Sequence, residues 1–229
     1  MAFLRRDNSD YTYSLGGEVM YSIIIVDDHK IVREGIQRLL SKEDQFYVSA
    51  TLSSVAELMD YVETHNPHLI LLDLKLQDGD GVSASIQLKK RFPLIKIVLL
   101  SGYIEPDFAL EAKRVGVEGY LLKTIALEKL ISAIKRVLKG EKIYDPLVEK
   151  DIEEYPNVFK KLSRQEYHII RLLTLGKTNK EIASEMNLAE KTARNYISHL
   201  YKKINVTNRT EAVAFYMRHR VKNDAGSKN

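Results

Sequence analysis

Five apolar runs alternate along this chain with five stretches whose apolar residues recur at spacings of three and four. No other feature restricts the fold as much. The runs are Ile23 to Val26, a shorter one near Val48, Leu69 to Leu72, Ile97 to Leu100 and Tyr120 to Leu122. Runs of that kind suit strands buried on both faces. Between and after them lie Ile31, Ile36, Leu39 and Leu40; Val55, Leu58, Met59 and Val62; Ala84, Ile86 and Leu88; Phe108, Ala109, Ala112 and Val115; and the series from Leu127 to Leu138. Each is the apolar stripe of a helix. Strands that alternate with helices make right-handed crossovers, so the expectation is an α/β domain with a five-stranded parallel sheet, doubly wound and flavodoxin-like. Its ligand crevice should lie beyond the carboxyl ends of the strands.

Four of those strand ends carry chemistry. The first apolar run leads into Asp27 and Asp28, the third into Asp73, the fourth into Ser101 and the fifth into Lys123. Three carboxylates meeting at one crevice repel one another unless a cation joins them, and hard oxygen ligands favour magnesium. A hydroxyl and an ammonium beside that ion suit the oxygens of a phosphoryl group, which makes the central Asp73 the expected nucleophile and site of an aspartyl phosphate. An aspartate after an apolar run is ordinarily a solvated strand end. The specificity lies in four ends each bearing the needed residue type.

These residues resemble the receiver domain of two-component response regulators. The resemblance implies that Asp27, Asp28 and Asp73 hold Mg2+ together with the backbone carbonyl of Lys75, and that Asp73 takes the phosphoryl group. Ser101 and Lys123 would contact that group, and Tyr120 would be the aromatic switch. Two departures stand out: Gln77 occupies the position four after the acceptor where Pro is frequent, which points to a less rigid loop, and Thr124 follows Lys123 where Pro is common.

Charge divides the chain. Residues 20–145 hold 17 Lys and Arg against 18 Asp and Glu, whereas residues 160–229 hold 15 against 6. A near-neutral domain tied to a basic one points to a polyanionic partner for the second. Between them, Glu149, Asp151, Glu153 and Glu154 lie between Pro146 and Pro156, an acidic stretch that reads as a linker. From Leu162 onward the pattern is wholly helical, with four short helices punctuated at Gly176, near Asn187 and Leu188, and from Asn205 to Asn208. Ser163 and Glu166 form a capping box at the first start. The third helix, "AEKTARNYISHLYKKI", turns Ala193, Ile197, Leu200 and Ile204 inward and a basic face outward, describing a helix-turn-helix.

The segments "LSRQE", "GKTNKEIA", "LAEKTARNYIS" and "RTEAV" resemble the NarL/FixJ, or LuxR-type, DNA-binding domain. Ala189 replaces the usual Ser or Thr before the third helix and is a weaker cap. With that helix in the major groove, Lys191, Arg194, Asn195 and Ser198 should meet base edges. Thr178, Asn179, Thr192, Tyr196, Lys202, Lys203 and Arg209 should grip phosphate. The last helix, from Asn208 to Arg218, resembles the family's dimerising helix.

The resulting expectation is a transcriptional response regulator, not an enzyme that turns over a substrate. Its boundaries are an extension over 1–19, a receiver domain over 20–143, a linker over 144–160, a helix-turn-helix domain over 161–220 and a polar tail over 221–229. Its partners are double-stranded DNA, a sensor histidine kinase, RNA polymerase as a further candidate, and a second copy of itself when phosphorylated. Alternatives are a regulator that binds DNA independently of phosphorylation and a magnesium-dependent phosphohydrolase. The latter needs an acid two residues after the nucleophile, where Lys75 stands. The sequence holds no apolar run long enough for a membrane span and no cysteine, so a cytoplasmic protein without membrane contact is expected. The codons of "GGEV" can spell a ribosome-binding GGAG just before Met20, where native translation is expected to begin.

Overall fold

The computed structural model describes residues 13–15, 18–154 and 157–224, as two compact units that divide between Glu149 and Lys150. Most of the expected 1–19 extension, and residues 225–229 of the expected tail, lie outside the described residues.

In the first unit the chain runs through β1 (Tyr13–Leu15), β2 (Glu18–Val26), α1 (Lys30–Leu40), β3 (Phe46–Leu52), α2 (Val55–Val62), β4 (Leu69–Asp73), the short β5 (Lys75–Leu76) and β6 (Gly79–Asp80), then α3 (Gly81–Arg91), β7 (Lys96–Ser101), α4 (Pro106–Val115), β8 (Gly119–Leu122), α5 (Leu127–Leu138) and β9 (Ile143–Tyr144). Strands β3, β2, β4, β7, β8 and β9 lie side by side in that order, all parallel. The expected doubly wound order is present with a sixth parallel strand added, and β1 pairs antiparallel with the start of β2. Strand β9 escaped the sequence because two residues have no period. It forms because Gly140, at φ 97°, turns the chain back after α5. There the Ile143 amide donates to Glu118 O and the Asp145 amide to Tyr120 O, each at 2.8 Å.

Every residue of Ile23–Ile25 and Leu69–Leu72 is fully buried, so helices cover both sheet faces. Ile36 and Leu40 of α1 and Leu130 and Ile134 of α5 pack on Ile23, Ile25, Leu69 and Leu71. Leu58, Val62, Val82, Leu88, Ala109 and Ala112 are buried from the remaining helices. Three residues expected inside are not. Ile31 is 85% exposed and Leu127 56%, both in the first turn of their helices, while Ile86 is 42% exposed. In α3 the inward position falls to Ser85, whose hydroxyl is satisfied by donating to Gly81 O at 2.7 Å.

The expected linker stretch 144–160 is structured where described. It holds Tyr144 of β9, α6 (Pro146–Glu154), within which the division of units falls, and α7 (Asn157–Lys160). The four expected helices follow as α8 (Arg164–Thr174), α9 (Asn179–Glu185), α10 (Glu190–Lys203) and α11 (Arg209–Asp224), so α11 enters the stretch expected as a polar tail. Phe159 of α7 is buried, its ring 5.4 Å from Tyr167 and 5.3 Å from Tyr216. Each break between the four helices carries one residue in the left-handed region: Gly176, Asn187 and Asn205, at φ 78°, 52° and 55°. No helix among the described residues is long and apolar enough to cross a membrane.

Candidate functional site

Because β2, β4, β7 and β8 run parallel, their carboxyl ends open on one edge. Asp27 and Asp28 directly follow β2, Asp73 ends β4, Ser101 ends β7 and Lys123 directly follows β8. The Lys123 amide donates to Ser101 O at 2.7 Å, which ties the last two ends together. Asp73, Lys75, Ser101 and Lys123 line a cavity of about 320 Å³ at that edge, with Asp27 and Asp28 gathered beside Asp73.

Electrostatics dominates its floor. The Lys123 ammonium lies 2.6 Å from Asp27 Oδ2 and 2.8 Å from Asp73 Oδ2, with both carboxylates buried. Burial raises the Asp73 pKa and the charge of Asp27 adds to the rise, while the hydrogen bond from Lys123 opposes it. Burial works to lower the Lys123 pKa, but the two carboxylates outweigh it and leave the ammonium more firmly protonated.

Asp27, Asp28, Asp73 and His29 each bring a ligand atom to within 4.8 Å of the others. Asp27 Oδ2 and Asp28 Oδ1 are both buried. Asp27 Oδ2 faces the Lys123 ammonium at 2.6 Å and Asp28 Oδ1 the His29 imidazole at 2.6 Å. Carboxylate oxygens gathered this closely at a strand end are the hard ligands a divalent cation takes, so the residues present fit magnesium. The Lys75 amide stands 3.4 Å from Asp73 Oδ1, which keeps the backbone of Lys75 beside the cluster.

Around the acidic cluster stand residues that sequence reasoning missed. The His29 amide donates to Asp27 Oδ1 at 2.9 Å, and the Arg33 guanidinium donates to Asp27 O. Their signal was available, since residues two and six places after Asp27 return to the strand end once α1 begins. Glu105 carried no such signal. Its carboxylate meets Lys75 Nζ at 2.6 Å across the cavity mouth, a pairing that joins two loops 30 positions apart.

Ser101 Oγ donates to Tyr103 O at 2.6 Å. Tyr120 is fully buried, and burial pushes its pKa up while the neighbouring Ser101 hydroxyl opposes the rise.

In the second unit, α10 buries Ala193, Ile197, Leu200 and Ile204 with its C-cap, the inward set the sequence indicated. Lys191, Thr192, Arg194, Asn195, Ser198, Lys202 and Lys203 are exposed on it, and Tyr196 is half-buried. Arg194 lies 3.6 Å from Glu190. Ala189 makes no side-chain cap. The other three helices do better: Ser163 with Glu166 and Thr178 with Glu181 form capping boxes, and Asn208 Oδ1 accepts from the Glu211 amide at 2.9 Å.

Three of the expected phosphate-gripping residues thus have work inside the unit. Thr178 caps α9, and Lys203 Nζ pairs with Glu166 at 2.6 Å. The half-buried Arg209 donates to Leu173 O at 3.0 Å, at the end of α8, and to Lys177 O at 2.6 Å, in the turn before α9. Asn179 is half-buried at the first position of α9.

Residues 23–135 match the family of response regulator receiver domains, and residues 160–216 match the luxR family of bacterial regulatory proteins. The response regulator protein VraR of Staphylococcus aureus is 32% identical over 201 residues, covering 86% of this chain and 96% of that protein. RcsB of Salmonella enterica serovar Typhimurium, solved bound to the rprA promoter with the phosphomimetic BeF3-, is 25% identical. It superposes with a TM-score of 0.65 over 86% of this chain and 98% of that one. A structure of two RcsB dimers bound to two parallel DNAs is 26% identical with a TM-score of 0.60, at the same coverage.

Proposed function

Since this chain belongs to the DNA-binding response regulators of the luxR family, with an N-terminal receiver domain, we propose that Asp73 accepts a phosphoryl group from a sensor histidine kinase and thereby controls DNA binding by the helical domain. The observation that carries this reading is the Lys123 ammonium held between Asp27 and Asp73 at 2.6 and 2.8 Å, on the floor of an open cavity.

In the proposed transfer an Asp73 carboxylate oxygen attacks phosphorus. The phosphorus–nitrogen bond of a phosphohistidine breaks, and the imidazole leaves with its electron pair. Lys123 is within reach of the incoming oxygens and neutralises charge there. Ser101 gives up its bond to the Tyr103 carbonyl and turns its hydroxyl to the phosphoryl group, vacating space beside the buried Tyr120 hydroxyl. Mg2+, held by Asp27, Asp28, Asp73 and the Lys75 carbonyl, would supply further positive charge to the transferring oxygens.

For the output, the exposed α10 face supports insertion in the major groove, with Lys191, Arg194, Asn195 and Ser198 at base edges and Thr192, Tyr196 and Lys202 near phosphate. The dimers of RcsB on DNA support a homodimer here as the DNA-bound form. Acetyl phosphate tests the acceptor: wild-type protein takes up one acid-stable, base-labile phosphoryl group and Asp73→Asn none. Equal labelling of Asp73→Asn overturns the assignment.

A further inference from the structure

The loop that follows Asp73 cannot hold itself. Strands β5 and β6 contribute two residues each, pairing Lys75 with Asp80 and Leu76 with Gly79, around a tip of Gln77 and Asp78. A ribbon that short is not self-supporting. The two-residue turns that suit a hairpin's twist require positive φ in the tip, and neither Gln77 nor Asp78 adopts it.

The fastenings lie outside the hairpin. Leu74 and Leu76 are buried, and the Gly81 amide donates to Leu74 O at 2.9 Å. At the tip, the Asp78 carboxylate accepts from the Val55 and Ala56 amides at 2.9 Å each. These are the first two amides of α2, which the helix leaves without partners, while Ser54 caps the third by accepting from Glu57. Burial opposes ionisation of Asp78, but the two amides outweigh it and hold its pKa below the ordinary carboxylate value. Gly79 lies against the same element: a Cβ there would sit 3.4 Å from Val55 Cγ2.

We infer that Asp78 is a positioning residue for the acceptor site, clamping the tip of this loop to α2 so that the Leu74–Lys75 backbone stays fixed beside the acidic cluster. The inference rests on reading Asp27, Asp28 and Asp73 as a magnesium site. With the clamp intact, the Lys75 backbone is ordered before a cation arrives. With it loosened, binding the cation has to order the loop as well, and affinity falls.

Helix capping alone would make Asp78 matter for stability but not for the cation, and Val55→Pro separates the two. It deletes one donor to Asp78, yet Pro is favourable at the first helical position, and Ser54, at φ −149° and ψ 162°, already has the extended backbone that precedes a Pro. The test is calorimetric titration of Mg2+ into the full chain at neutral pH without a phosphoryl donor. Asp78→Ala should weaken binding about tenfold, as loss of outer-shell support for ligands does elsewhere. Asp78→Asn and Val55→Pro, each keeping one of the two bonds, should fall between, with the thermal midpoint of Val55→Pro unchanged. Unaltered magnesium affinity in both Asp78→Ala and Val55→Pro overturns the clamp. Wild-type protein that binds magnesium but takes up no phosphoryl group would overturn the acceptor reading and leave the clamp standing.

Discussion

The Cβ that Gly81 lacks would stand 2.5 Å from the backbone carbonyl oxygen of Asp73. The first turn of α3 is pressed against the acceptor's own peptide, and Leu99 Cδ2 closes the other side at 2.8 Å. Any side chain at 81 must push Asp73 out of line with Lys123. Gly81→Ala is expected to cost about 2 kcal/mol of stability by overpacking and to lower phosphoryl uptake severalfold or more. Gly79→Ala, with its nearest neighbour at 3.4 Å, should change either by far less. Denaturant unfolding and acetyl phosphate labelling of the pair decide it; equal behaviour of the two variants would refute the close-approach argument.

The raised pKa of Asp73 has a sign in stability. A carboxyl that holds its proton more tightly when folded destabilises the fold once ionised. The penalty is absent below the unfolded value of 3.8 and complete above the raised folded value. Asp73→Asn removes the charge and leaves Lys123 with Asp27. Without magnesium, the variant should therefore melt higher than wild type at pH 7, and the gain should shrink as pH falls toward 3.8. Thermal melts across that range are the measurement, and a variant less stable at pH 7 would contradict the sign.

Acid should act oppositely on the helical unit. Burial works to raise the pKa of Glu166, but Lys203 and the Ser163 amide leave it lowered, and hydrogen bonds from Thr178 and Thr207 lower those of Glu181 and Glu211. Their stabilisation is complete above the ordinary value of 4.5 and lost as pH falls through the lowered folded values. Helical circular dichroism at 222 nm, followed downward from pH 6, should hold until about that value and then decline. Gln at all three positions should flatten the decline.

On DNA, Arg194 and Lys202 should separate. Arg194→Ala is expected to cost about 1 to 3 kcal/mol on a specific site and little on random duplex, whereas Lys202→Ala weakens both and reduces the salt slope by about one. Arg209→Ala should instead lower the thermal midpoint, because the Leu173 and Lys177 carbonyls lose this donor. Filter binding at several salt concentrations, paired with melts, distinguishes base reading from phosphate contact and from internal support.

The sequence alone determined the alternation of buried strands and amphipathic helices, the four strand ends bearing Asp27, Asp28, Asp73, Ser101 and Lys123, and the inward stripe of α10. Those are local facts: period, residue type and position at the end of a run. Tertiary structure alone decided the rest. Strand β9 exists because an edge of β8 was open to it, and Ile31 and Leu127 stay exposed because the first turns of their helices lie clear of the core. Glu105 faces Lys75, Asp78 caps a helix more than twenty residues earlier, and Arg209 turns inward to α8 instead of outward. Such pairings join residues far apart in the chain. No periodicity records them, because they arise only when packing brings an unsatisfied donor within reach of a distant acceptor.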